Sequence, residues 1–111
     1  MQRHDPQMLK GVLSVLLLRL LTEQEDYGYH VVIRLQEHGF SELAEGTVYP
    51  ALARLESQGL LSSRLVRSDS GPARKYYAPT AAGADELDRS AHAWQQLVAS
   101  VSSVLAEGAS R

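Results

Sequence analysis

The chain of 111 residues contains no cysteine. That absence excludes disulfide-stapled scaffolds, thiolate metal sites, dithiol redox motifs and cysteine nucleophiles, and it fits a reducing compartment. An excess of positive charge is also missing: 11 Lys and Arg stand against 13 Asp and Glu, for a formal net charge of −2. No global field draws in nucleic acid, so any such binding has to come from a local patch. Long hydrophobic runs are absent too. The longest apolar stretch, Val12 to Leu21, is broken by Ser14 and Arg19, far short of the roughly 20 apolar residues of a membrane span. The start lacks a charged n-region joined to a small-residue cleavage site. The chain therefore reads as soluble and cytoplasmic, with no membrane partner. Nucleophile–base pairs, phosphate-cradling glycine loops and paired carboxylates beside a pocket are not found. His4, His30, His38 and His92 are scattered, and His30 and His38 lie too far apart along a helix to share a metal. No enzyme, metal or cofactor is expected. Glu23, Glu25 and Asp26 read as a solvated acidic loop.

What is present is ordinary globular material, 44% hydrophobic and 22% charged, sized for one domain or one domain with an extension. Asp5 is placed to cap a first helix, with Pro6 at its first position. Leu9, Val12, Leu13, Leu16, Leu17, Leu20 and Leu21 recur at helical spacing, and Val15 and Leu18 widen the stripe. A helix apolar almost all round needs burial on more than one side, which is natural in a dimer. A second helix is predicted from about Tyr27 to His38, stopped by Gly39. A third starts at about Thr47, with Thr47 as its N-cap and Pro50 in its first turn, and ends at Gly59. Leu60 to Arg67 and Arg74 to Pro79 read as two strands around the turn residues Ser68 to Pro72. Thr80 then caps a final helix to about Glu107.

Three helices followed by a two-stranded hairpin is the order of a winged helix-turn-helix. The expected fold is therefore mainly α with a small β-hairpin: a DNA-binding domain over residues 1–79 and a C-terminal dimerisation helix over 80–111. Charge supports this geography. From Leu60 to Tyr77 the cations are Arg64, Arg67, Arg74 and Lys75 against Asp69, a net +3 that leaves −5 on the rest of the chain. A locally basic hairpin suits phosphate contact; the plainer reading is a solvated polar hairpin.

The last helix carries a seam of its own. Ala84, Leu87, Ala91, Trp94, Val98, Val101 and Leu105 alternate at spacings of three and four, a heptad pattern. Asp85, Asp88, Arg89, Gln95, Ser102 and Ser103 occupy the opposite face. The seam either packs against helix one of the same subunit or forms a subunit interface with it. The second reading draws on Leu13, Leu87, Ala91, Trp94, Val98, Val101 and Leu105.

Five blocks together bear a resemblance. Tyr27-Gly28-Tyr29, Glu45 through Leu52, Arg54-Leu55-Glu56, Gly59-Leu60-Leu61, and Gly71 through Tyr77 with Thr80 and Gly83 resemble the PadR family of transcriptional regulators, in order and in spacing, over nearly the whole chain. The single C-terminal helix is similar to the smaller branch of that family. The resemblance implies a homodimeric winged-helix repressor on double-stranded DNA. It implies a DNA contact for Tyr49, and it makes Arg74 and Lys75 the basic pair of the wing. Thr47 can touch phosphate, and Pro50 and Ala51 can meet thymine methyls. Arg54 reaches DNA or pairs with Glu56 or Glu37. Gly71 sits at the wing turn, where turn geometry is its first explanation and contact its second. Tyr76 and Tyr77 read as core and strand packing.

Trp94, the single tryptophan, has two readings: a hydrophobic dimer contact, or a platform for a flat aromatic ligand beside Val15 and Val98, as the multidrug-sensing branch of the family implies. The function expected is a sequence-specific repressor on an inverted-repeat operator, with such a ligand relieving it. The rival is a winged-helix module that docks a protein partner and binds no DNA.

Overall fold

A computed structural model describes residues 3–109. Helices α1 (Pro6–Lys10) and α2 (Leu13–Glu23) are followed by the short strand β1 (Asp26–Tyr27), then α3 (Gly28–Glu37) and α4 (Glu45–Ser57). Strands β2 (Leu61–Ser68) and β3 (Gly71–Pro79) form the hairpin, and α5 (Ala81–Ala109) closes the chain. The fold is mainly helical, with a small antiparallel sheet in the order β1-β3-β2.

The sheet has one strand more than the hairpin expected. β1 pairs with β3, Asp26 opposite Tyr77 and Tyr27 opposite Tyr76, while β2 pairs with β3 from Leu61 opposite Pro79 to Ser68 opposite Gly71. Two residues are too few to show an alternating pattern, so β1 carries no periodic signal.

The first helix is split. Asp5 does cap α1, its Oδ1 accepting from the N–H groups of Gln7 at 2.8 Å and Met8 at 3.3 Å. The N–H of Gly11 then bonds the Met8 carbonyl and that of Val12 the Leu9 carbonyl, so tighter three-residue bonds replace the helical ladder at a residue of low helix propensity.

α2 lies at the centre. It packs on α3, α4, β3 and α5, which explains its apolar surface on nearly every side. Leu17, Leu18 and Leu21 meet Val31 and Leu35 of α3, Val48, Leu52 and Leu55 of α4, Tyr77 of β3 and Leu87 of α5 in one core. Leu13 and Leu87 were expected at a subunit interface; each is 7% exposed and belongs to this core of the single chain. Much of the cover that α2 needs comes from its own subunit.

Asp26 is buried rather than solvated. Its carboxylate accepts from the Tyr27 N–H at 3.0 Å and from Arg34 at 3.2 Å, and lies 2.5 Å from Nδ1 of His30. Arg34 also donates to the Leu20 carbonyl at 2.8 Å, closing the end of α2. The carboxylate thus joins β1, α2 and α3. Removing one partner of a buried pair strands the other, at a cost of about 3 kcal/mol. Asp26→Ala is expected to lower the urea midpoint by that stability with an unchanged slope; an unchanged midpoint would mean the pairing contributes nothing.

The helix-turn-helix pair ends as expected on glycines with positive φ, Gly39 at 95° and Gly59 at 78°. The start of α4 differs. It begins at Glu45 after Ala44, and Thr47 is its third residue, whose N–H bonds the Ala44 carbonyl. Thr47 is therefore not the N-cap. Pro50 lies inside the helix, past its first turn. Its missing N–H leaves the Gly46 carbonyl without a helical partner, and Gly46 is exposed to water. Thr80 does cap α5: its Oγ1 accepts from the Gly83 N–H at 3.0 Å and donates to the Gly59 carbonyl at 2.6 Å. The first turns of α5 are thereby docked on the α4–β2 turn. Among the described residues no helix is long and apolar enough to cross a membrane.

Candidate nucleic-acid interface

Tyr49 stands on α4 with its ring laid against the start of α3. A Cβ on Gly28 would come within 2.7 Å of Tyr49 Cε1. Gly28, between Tyr27 and Tyr29, therefore leaves the space that the ring fills. Burial, and then the nearby Glu45 carboxylate, push the Tyr49 phenol above its ordinary value. Its hydroxyl stays a neutral donor at physiological pH, suited to a phosphate oxygen.

Beside this ring lies a notch of about 220 Å³ between α4 and the wing, lined by Tyr27, Tyr29, Tyr49, Tyr77, Arg74 and Lys75 among others. The Arg74 guanidinium lies 4.6 Å from the centre of the Tyr27 ring, and Tyr27 leans on Tyr76 with centroids 5.3 Å apart. The aromatic stack holds the Arg74 cation at the edge of the notch.

Thr47, Pro50 and Arg54 are exposed and recur at helical spacing on one face of α4. Ala51, expected to meet thymine methyls, is 1% exposed and packs in the core. Arg54 makes no ion pair with Glu56 or Glu37 among the described residues. Gly71 does not need its glycine for the turn: positive φ among the described glycines occurs at Gly39 and Gly59, and a Cβ at Gly71 would meet nothing within 4 Å. Tyr77 is a core residue, and Tyr76 is half-buried.

Two carboxylates at the base of the wing were missed. Glu56 of α4 lies 2.9 Å from Lys75 Nζ and also accepts from the Ser63 hydroxyl. Glu25, just before β1, takes both Nε and an Nη of Arg64, at 2.8 and 2.6 Å. A charge count confined to the hairpin could not see them. Among the described residues no cluster of three groups is placed to hold a metal.

Residues 17–89 match the transcriptional regulator PadR-like family. The chain belongs to that family. Transcriptional regulator Rv3488 of Mycobacterium tuberculosis is 35% identical over 85 residues, covering 77% of this chain and 78% of that protein. The crystal structure of a PadR-like transcriptional regulator from Bacillus cereus is 37% identical with a TM-score of 0.81, covering 89% of this chain and 96% of the other. A PadR family regulator from Eggerthella lenta is 36% identical with a TM-score of 0.82, covering 89% and 86%.

This PadR-family member is a DNA-binding transcriptional regulator with a winged-helix fold. Its α3–α4 pair is the helix-turn-helix and β2–β3 the wing. The regulator carries a second concavity, of about 400 Å³, between α1, α2 and α5. Val15 and Trp94 line it with Met8, Val12 and Phe40, and His4 stacks on Phe40 at 4.7 Å. Val98, one turn beyond Trp94, is not part of that lining.

Proposed function

We propose that two copies of this chain associate through α5 and bind an inverted-repeat operator, repressing transcription by occupying it in the cytoplasm. One observation carries the reading. Past Leu87, α5 exposes Trp94, Leu97, Val98, Val101, Val104 and Leu105 on a continuous apolar face. A face of that extent on a small chain is an interface, and a second copy matches it by symmetry. Residues 1–79 then form the DNA-reading unit and residues 80–111 the coupling unit. Two copies of α4 would enter successive major grooves about 34 Å apart. Thr47, Tyr49, Pro50, Arg54 and Arg74 supply the contacts, the hydroxyls and guanidinium groups to phosphate or base edges and Pro50 as apolar surface.

Selection of bound duplexes from a random pool at near-physiological salt tests this. Enrichment of an inverted repeat is the expected result. A folded, dimeric protein that enriches nothing would overturn it and favour a partner-docking module.

The concavity beside Trp94 favours a second element of the same reading: a flat aromatic ligand seated against the indole releases the operator. Planar cationic dyes or flavin-like compounds should then quench Trp94 fluorescence. Unchanged emission across such a panel removes the ligand from the proposal.

A further inference from the structure

The four wing cations are not equivalent. Arg64 and Lys75 each face a carboxylate contributed from outside the hairpin, Glu25 and Glu56. Arg67 and Arg74 have no carboxylate partner among the described residues, nor has Arg54 of α4. The hairpin's +3, set against these two outside anions, becomes +1 in space.

The two pairs are built rather than incidental. Glu25 accepts Arg64 through both carboxylate oxygens, and a two-point fork is the strong form of this contact. Glu56 is held twice, by Lys75 and by the Ser63 hydroxyl, so one side chain of α4 grips both strands of the wing. Lys75 Nζ also lies 5.4 Å from the centre of the Tyr77 ring, on the side of the core. The carboxyls of Glu25 and Glu56 are drawn below their ordinary values, through hydrogen bonding from Arg64 and from Ser63 and Lys75 respectively. Both remain anionic wherever the protein works.

We infer that Glu25 and Glu56 set the strength of sequence-independent binding: each pairs one wing cation at the protein surface, so that attraction to the DNA backbone rests on Arg54, Arg67 and Arg74. The inference rests on the DNA-binding reading above. Sequence-independent affinity comes almost wholly from phosphates neutralised by cations, and each neutralised phosphate adds about 0.9 to the slope of log K against log salt. Two cations withdrawn from the backbone lower binding to every sequence alike and leave base contacts from α4 untouched. Operator and random duplex lose affinity together, so what the two carboxylates set is the absolute strength of backbone binding. Lys75, half of the basic pair that the family resemblance implies, becomes a positioning residue that fixes the wing against α4.

The test uses the full chain and a 30-base-pair duplex of random sequence, followed by fluorescence anisotropy over a series of KCl concentrations. Glu56→Gln keeps an acceptor for Ser63 and releases Lys75; Glu25→Gln releases Arg64. Each is expected to steepen the slope by about 0.9 and to tighten binding to the random duplex. Adding Lys75→Gln to Glu56→Gln should return the slope to its starting value. Alone, Lys75→Gln should leave the slope unchanged, whereas Arg74→Ala should flatten it by about 0.9. Lys75→Gln flattening the slope as much as Arg74→Ala would overturn the inference, since Lys75 would then exchange Glu56 for phosphate. Unchanged slopes in both Glu→Gln variants would overturn it as well. A wild-type chain that shows no salt-dependent binding to any duplex would instead sink the DNA-binding reading on which this rests. Unfolding midpoints near wild type show that each variant is folded.

Discussion

Gly83→Ala is expected to lower the melting temperature, although alanine is the better helix former. Gly83 is the third residue of α5. At an ordinary helical position the exchange gains about 1 kcal/mol. Here a Cβ would lie 2.0 Å from the Leu60 carbonyl oxygen, 3.0 Å from its carbon and 3.4 Å from Pro79 Cβ. The obstacle is backbone, already engaged by the Thr80 N–H, so no rotamer change removes it. Relief requires α5 to lift from the α4–β2 turn, which breaks the Thr80 cap and withdraws Leu87 from the core. Overpacking of this kind costs about 3 kcal/mol or more, outweighing the propensity gain. A net loss of about 2 kcal/mol corresponds to a fall in Tm on the order of 10 °C. Scanning calorimetry at fixed protein concentration reads it. Gly46→Ala is the matched control, because a Cβ at Gly46 meets nothing within 4 Å, and its Tm should hold or rise. A Gly83→Ala protein that melts at or above wild type would show that α5 does not sit on Leu60.

The helices and the hairpin were legible in the sequence because their signals are local. Apolar residues three and four apart mark α2 and α5, glycines mark the ends of α3 and α4, and Ser68 to Pro72 mark the wing turn. What stayed hidden depends on residues distant along the chain. The acids before Tyr27 look solvated until Arg34 and His30 fold over Asp26 and Arg64 arrives from β2 to meet Glu25. Similarly, α2 looks like half of a dimer interface until α3, α4, β3 and α5 surround it. Thr47 has the chemistry of an N-cap, but the helix starts before it at Glu45, without a side-chain cap on Ala44. In the candidate interface the residue types on α4 were readable, and Thr47, Pro50 and Arg54 share an exposed face. The inward turn of Ala51 and the engagement of Lys75 by Glu56 follow from packing and from pairing between elements, which spacing along one element does not show.

Val101→Asp is expected to convert the proposed dimer to a folded monomer and to weaken operator binding by about 100-fold or more. Val101 is exposed in the single chain, 46% of its surface reaching solvent, so the change leaves the core packed around α2 intact and the helix content of each chain unaltered. The cost falls on association alone. A twofold interface meets each substitution twice, and an unpaired carboxylate moved from water into an apolar contact costs several kcal/mol. A thousandfold rise in the dimer dissociation constant corresponds to about 4 kcal/mol, well inside what two such groups impose. Each monomer then reads one half-site, and the advantage of tethering the second recognition helix to the first is gone. Sedimentation velocity reports the change of mass, circular dichroism the retained helix, and anisotropy on the selected inverted repeat the lost affinity. Ser103→Asp is the control, since Ser103 lies on the opposite, polar face of α5, and its dimer should persist. If Val101→Asp sediments as wild type does, the apolar face of α5 is not the contact between copies, and the two recognition helices must be coupled, if at all, through another surface.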